Sequence, residues 1–161
     1  MADPEQHGFG AAGTIPNSPL PLLIYRGALA ADAELIEQVF AAHAWPPRWR
    51  SGVYSWHHFH PHAHEALGVA RGTARVMFGG PGGREIALTA GDVVVVPAGV
   101  GHCGVAASAD LVIVGAYPAG TRDTAASRGQ EGAAAAVAAV PLPAADPVAG
   151  TNGALIRLWA G

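Results

Sequence analysis

Lysine is absent from this chain, and all nine of its basic residues are arginine. Without an ε-amine there is neither Schiff-base catalysis nor a Walker-A phosphate loop. Cysteine occurs once, at Cys103. No intrachain disulfide can form, which fits a reducing cytoplasm. Charge is sparse, with 13% Asp, Glu, Lys and Arg and a formal net charge of −3, so there is no electrostatic case for a nucleic-acid partner. No apolar stretch reaches membrane-spanning length, and the run from Ala133 to Val140 is short and mostly alanine. Met1-Ala2-Asp3-Pro4-Glu5 offers no basic region followed by an apolar run, so a signal peptide is not expected. The expected setting is the cytoplasm, with no membrane and no nucleic acid as partner. A Gly-x-Ser-x-Gly elbow is also missing.

Glycine and proline, by contrast, are plentiful (22 and 13), and half of the 161 residues are hydrophobic. Turn-formers at that density favour many short strands over long helices. The length predicts a single domain over 1–161: a barrel core at about 50–118, an N-terminal arm and helix at 1–49, and a C-terminal extension at 119–161. Residues 1–19 read as an extended arm and Leu20 to Tyr25 as a strand or apolar strap. Asp32 can cap a helix over 33–44, with Leu35, Ile36, Val39 and Phe40 on one face, ended by Trp45-Pro46-Pro47.

From Gly52 to Tyr117 the period becomes two. Thr73 to Phe78, Glu85 to Leu88, Asp92 to Val96 and Leu111 to Ala116 read as strands, with Gly79-Gly80-Pro81-Gly82-Gly83 as a hairpin turn. The expected fold class is therefore all-β, an antiparallel sandwich or barrel. Beyond Pro118 the pattern weakens. Residues 119–135 read as a mobile loop, Pro141 to Pro147 as extended, and Leu155 to Trp159 as an edge strand.

Five of the eight histidines lie between positions 57 and 64. His58 and His60 are two apart, so on a strand both imidazoles leave the same face. Glu65 can add an oxygen after a turn, and His102 can bring a fourth donor from a facing strand. Three nitrogens and one carboxylate oxygen suit one divalent transition metal: Mn, Fe, Ni, Co, Cu or Zn. A histidine cluster can equally be an unspecific metal trap. His57 has the opposite parity and His62 falls in the turn. His64 competes as a ligand only if the strand is bulged, and Cys103 should point away from His102. Tyr54 and Trp56 share the ligands' parity, as cavity mouth or as core. Val76 and Phe78 can form an apolar wall, Arg75 should face outward, and Asp92 is an ordinary turn carboxylate.

The wider spacing resembles a known family. Gly52, five residues, His58, one residue, His60, four residues, Glu65, six residues and Gly72 look like the first cupin motif. Gly91, five residues, Pro97, one residue, Gly99, two residues and His102 look like the second, 18 residues further on. Where cupins often carry an asparagine after the last histidine this chain has Ala106, a departure that touches no ligand. A closer resemblance, to YjlB-type bacterial cupins, rests on Ile15-Pro16-Asn17-Ser18-Pro19, Leu23 to Leu29, His57-His58-Phe59-His60, His64 to Gly68, Pro97 to His102 and Val114 to Pro118. The resemblance implies a double-stranded β-helix, or jelly-roll barrel, with metal inside on His58, His60, Glu65 and His102. It implies no substrate.

With few other titratable groups available, any reaction leans on the metal as Lewis acid, oxygen activator or template. Four protein ligands on an octahedral ion leave two adjacent positions for a small-molecule ligand. The first reading is a metal-dependent enzyme, a dioxygenase or an isomerase or lyase, acting on a small oxygenated metabolite. The alternatives are a non-catalytic small-molecule or metal-binding module and a storage or scaffold barrel. A homodimer is expected from the low charge and the extended arm.

Overall fold

The computed structural model describes residues 2–161. Two antiparallel sheets face each other. The larger has six strands in the order β1-β2-β7-β4-β9-β3: β1 Glu5–Phe9, β2 Ser18–Tyr25, β3 Pro47–Ser51, β4 Glu65–Arg71, β7 Val93–Val96 and β9 Val112–Ala116. The smaller has three in the order β6-β5-β8: β5 Thr73–Phe78, β6 Arg84–Thr89 and β8 His102–Ala107. Three short helices complete the chain: α1 Ala33–Ala42, α2 Ala133–Ala138 and α3 Ala154–Leu158.

The central strands of the larger sheet are buried on both faces, and their sequences say why. Strand neighbours point to opposite sides, and β7 is four consecutive valines, all buried. Val94 and Val96 join Leu22, Ile24, Leu67 and Ile113 against Val76, Phe78, Ile86 and Leu88 of the smaller sheet. Val93 and Val95 join Leu23, Tyr25, Ala66 and Val114 on the other face, beneath Ile36, Phe40, Trp45, Leu155 and Trp159. A strand with two apolar sides needs a second cover, and α1 and α3 supply it. Helix α1 begins where Asp32 accepts the Leu35 N–H at 3.0 Å. It buries Ile36 and Phe40, one turn apart, while Leu35 is exposed. The chain then turns through Ala44 at φ 63° into Trp45.

Several expectations need correction. The N-terminal segment is more than an arm: β1 pairs with β2, and β2 pairs with β7. Strand β3 begins at Pro47, the second of the two prolines expected to end the helix, and pairs with β9. Its Trp49 crosses Gly115, where any Cβ would fall inside the indole, so glycine is required there by close approach. Leu155 to Trp159 is helix α3 with its cap, not an edge strand. The Leu155 N–H is held by the Asp146 carboxylate at 3.0 Å, and Leu155 and Trp159 bury on one helical face. Residues 119–135 are tied down: Ser127 and Phe59 exchange two backbone hydrogen bonds of 2.8 and 2.9 Å, and Ala133 opens α2. No helix among the described residues is long and apolar enough to cross a membrane.

Candidate metal centre

The segment 52–64 between β3 and β4 is not a ladder strand. Only His58 and Phe59 make isolated bridges, to His102 and Ser127. His58 and His60 nevertheless converge, because each is fixed by backbone pairing. The His58 and His102 peptides bond to each other in both directions at 3.2 and 2.9 Å. The Gly99 N–H donates to the His60 carbonyl at 2.9 Å. Gly99 sits at φ +88°, so the Pro97-Ala98-Gly99 turn presents that N–H inward only because residue 99 lacks a Cβ. Glu65 opens β4 opposite Val96.

His58, His60 and His102 form a buried cluster whose donor atoms all lie within 4.8 Å of one another, a group that could hold a metal ion. Their ring centroids stand 4.1 to 5.7 Å apart. Each Nδ1 lies against a backbone carbonyl: Trp56 for His58 (2.9 Å), Thr124 for His60 (3.0 Å) and Val100 for His102 (3.1 Å). A carbonyl can only accept, so Nδ1 carries the proton and each neutral ring turns an Nε2 lone pair into the centre. The Glu65 carboxylate lies among them, Oε1 3.1 Å from His102 Nε2 and Oε2 3.3 Å from His60 Nε2. Lone pairs aimed at carboxylate oxygens at these distances repel unless a proton or a cation sits between them. The donor set therefore fits a divalent transition metal.

The electrostatics agree. Burial, then the neighbouring His102, pushes the His58 pKa down to about 3, so this ring stays neutral. Burial also opposes charge on His60, but the Glu65 carboxylate outweighs it and the pKa is raised. Burial alone would raise the pKa of Glu65, yet His60 and His102 hold it well below the ordinary carboxylate range.

Residues 47–115 match the cupin domain. Over 155 residues the chain is 38% identical to "Uncharacterized protein YjlB" of Bacillus subtilis (strain 168), spanning 94% of this chain and 93% of that relative. The chain belongs to the cupin family.

The cluster of this cupin forms the floor of an open cavity of about 550 Å³. Tyr54 lines it and is 58% exposed, at the mouth. Trp56, expected at the mouth or in the core, does not line the cavity: it stacks on Tyr54 at 4.9 Å and lies under the Arg128 guanidinium at 4.3 Å. Val76 and Phe78, expected as the apolar wall, lie instead in the core between the sheets, with Phe78 behind the His102 ring at 6.3 Å. Trp49, Leu67, Tyr117 and Ala125 line the cavity.

The remaining histidines stay outside the cluster. His62 is exposed, 3.9 Å from Asp123. His57 keeps a buried Nδ1 without a partner among the described residues. His64 is buried away from the centre. Its Nδ1 accepts the Ala98 N–H at 2.9 Å, its ring packs on Trp159 at 4.9 Å, and burial pushes its pKa down to about 4. Arg75 pairs with Glu85 on the surface. Asp92 is more than an ordinary turn carboxylate: it is buried and holds the N–H groups of Gly27 and Thr89 and the Arg26 guanidinium.

Two contacts were not visible as motifs. The Tyr117 hydroxyl donates to Glu65 Oε2 at 2.8 Å and accepts from Trp49 Nε1 at 3.0 Å. Burial, followed by the Glu65 charge, raises the Tyr117 pKa, so its proton stays on the phenol. The signal was register: Ala66 pairs with Ala116, so antiparallel counting sets Tyr117 beside Glu65. The Thr124 carbonyl on His60 had no sequence signal.

Proposed function

We propose that this cupin is a metal-dependent enzyme of the dioxygenase, isomerase or lyase kind, acting on a small oxygenated metabolite. His58, His60, Glu65 and His102 would hold one divalent transition metal. The observation that carries this reading is the combination of three Nε2 lone pairs and a carboxylate at the floor of a cavity open to small molecules. A storage or structural site would be closed over. The ion would supply Lewis acidity or oxygen activation, the strong electrophile or redox centre that the side chains alone lack. The chain's own contribution is orientation. The carbonyls of Trp56, Thr124 and Val100 fix the imidazole tautomers, and Tyr117 fixes the carboxylate. Tyr54 and Trp49 give the entering molecule an aromatic rim.

The test is access to the ion. Protein loaded with Fe(II) under anaerobic conditions should bind nitric oxide and give a high-spin iron-nitrosyl EPR signal, altered by a small chelating oxygen ligand. An iron-loaded protein that gives no such signal would have no open position, and the enzyme reading would lose its basis.

A further inference from the structure

The metal reading leaves open what kind of molecule the cavity takes, and the charge on its walls bears on that. Glu65 is the only Asp, Glu or Arg side chain lining the cavity among the described residues. Its polar companions other than the histidines are neutral: Ser51, Thr124 and the Tyr117 phenol. The arginines nearest in sequence do not line it. Arg48 donates to the Thr121 carbonyl at 3.0 Å, Arg50 is paired with Glu37 on the surface at 2.6 Å, Arg128 lies over the Trp56 ring, and the exposed Arg122 lines a separate pocket with His62 and Asp123. The rest of the lining is apolar or aromatic, including Trp49, Val53, Tyr54, Leu67 and Ala126.

A divalent ion held by three neutral imidazoles and one carboxylate keeps a single net positive charge. One negative charge on an incoming ligand cancels it. A second would be buried among apolar walls with no cation to meet it, which is strongly unfavourable. Enzymes that take phosphates or dicarboxylates place arginine or lysine against the extra charge. This chain has no lysine and turns no arginine inward.

We propose, on the basis of the metal reading above, that the cavity takes a bidentate oxygen ligand that is neutral or singly charged and carries an apolar, ring-bearing body, and that it discriminates against phosphates and dianionic carboxylates. The ligand's oxygens face the His58, His60, His102 and Glu65 floor, and its body lies against Trp49, Leu67 and the Tyr54 rim. A volume of about 550 Å³ accommodates a molecule of one or two rings.

The experiment loads the full chain with Co(II) and titrates it with tropolone, a singly ionised ring chelator, and separately with oxalate and 2-phosphoglycolate. The visible cobalt bands report binding, and gel filtration confirms that the ion stays on the protein. Each affinity is divided by that of the same compound for aqueous Co(II), which removes intrinsic chelating strength. The expected result is that tropolone is favoured over both multiply charged ligands by at least tenfold on this scale. In Ala126→Arg, which adds a cation to a loop position on the cavity wall, the ratio should fall several-fold. Equal or tighter binding of oxalate or 2-phosphoglycolate, or an unchanged ratio in Ala126→Arg, would overturn the inference while leaving the metal site standing. Failure of Co(II) to bind at all would overturn both together.

Discussion

Tyr117→Phe removes one oxygen from a chain of three groups. The phenol donates to Glu65 Oε2 and accepts from the Trp49 indole, and both it and Glu65 are nearly inaccessible, at 3% and 2% exposure. A hydrogen bond to a buried charged group is worth about 1.5–3 kcal/mol. At ~2–4 °C per kcal/mol for a chain of this size, the melting temperature should fall by roughly 3–12 °C. Glu65 would keep His60 and His102 but lose the donor that fixes its rotation. Replacing such a supporting partner typically weakens metal binding by ~10- to 100-fold. Calorimetry on the metal-free protein and competition against a fluorescent chelator measure the two effects separately. Trp49→Phe is the comparison, because it spares the bond from Tyr117 to Glu65 and should cost less metal affinity. If Tyr117→Phe matches the parent in both assays, the hydroxyl does not support the carboxylate and the reasoning is wrong.

Acid should destabilise the metal-free protein. The pKa values of His58 and His64 fall on folding from 6.5 to about 3 and about 4, so their stabilisation is complete above pH 6.5 and is lost as pH drops toward those values. Each contributes a slope of at most ~1.4 kcal/mol per pH unit. Glu65, whose pKa is lowered from 4.5, works in the same direction at more acidic pH. His60, raised, opposes them: its contribution is present below 6.5 and lost as pH rises through its folded value. Denaturant titrations from pH 6.5 to 4.5 should show falling stability, and a flat profile would contradict this account. His64→Ala should keep full metal content by elemental analysis, because its ring faces Trp159; loss of metal with the fold intact would place His64 in the site. Asp146→Ala should destabilise by about 4 kcal/mol or more. It strands the N–H groups of Val148, Ala149 and Leu155 and the Tyr25 hydroxyl, all of which the carboxylate now satisfies. A change below ~1 kcal/mol in a urea melt would mean that water replaces it.

The histidine cluster was legible because metal chemistry restricts residue types as well as their spacing, so His58, His60 and His102 stand out against an alanine-rich background. Helix α1 was legible from Asp32 and an apolar face. Strand β3 was hidden because Pro46 and Pro47 read as a terminator, although Arg48, Trp49 and Arg50 do alternate. For α3 the sequence is ambiguous: Leu155 and Trp159 share a face at period two and also at one helical turn. What decides is the Asp146 carboxylate nine residues away, holding the Leu155 N–H. Residues 119–131 carry no period, since their order comes from backbone bonds to Phe59 and from the Thr124 carbonyl on His60. Such contacts depend on where distant chain comes to lie, and side-chain pattern does not encode that.

The proposed function stands or falls on whether this cupin holds a metal ion on its histidine cluster and Glu65. The most direct measurement is elemental analysis of the protein purified without an affinity tag, beside the double variant His58→Ala, His60→Ala. One equivalent of a divalent transition metal per 16.2 kDa chain is expected, and none in the folded double variant. A parent protein that takes up no ion when offered one, or a double variant that retains full stoichiometry, would contradict it.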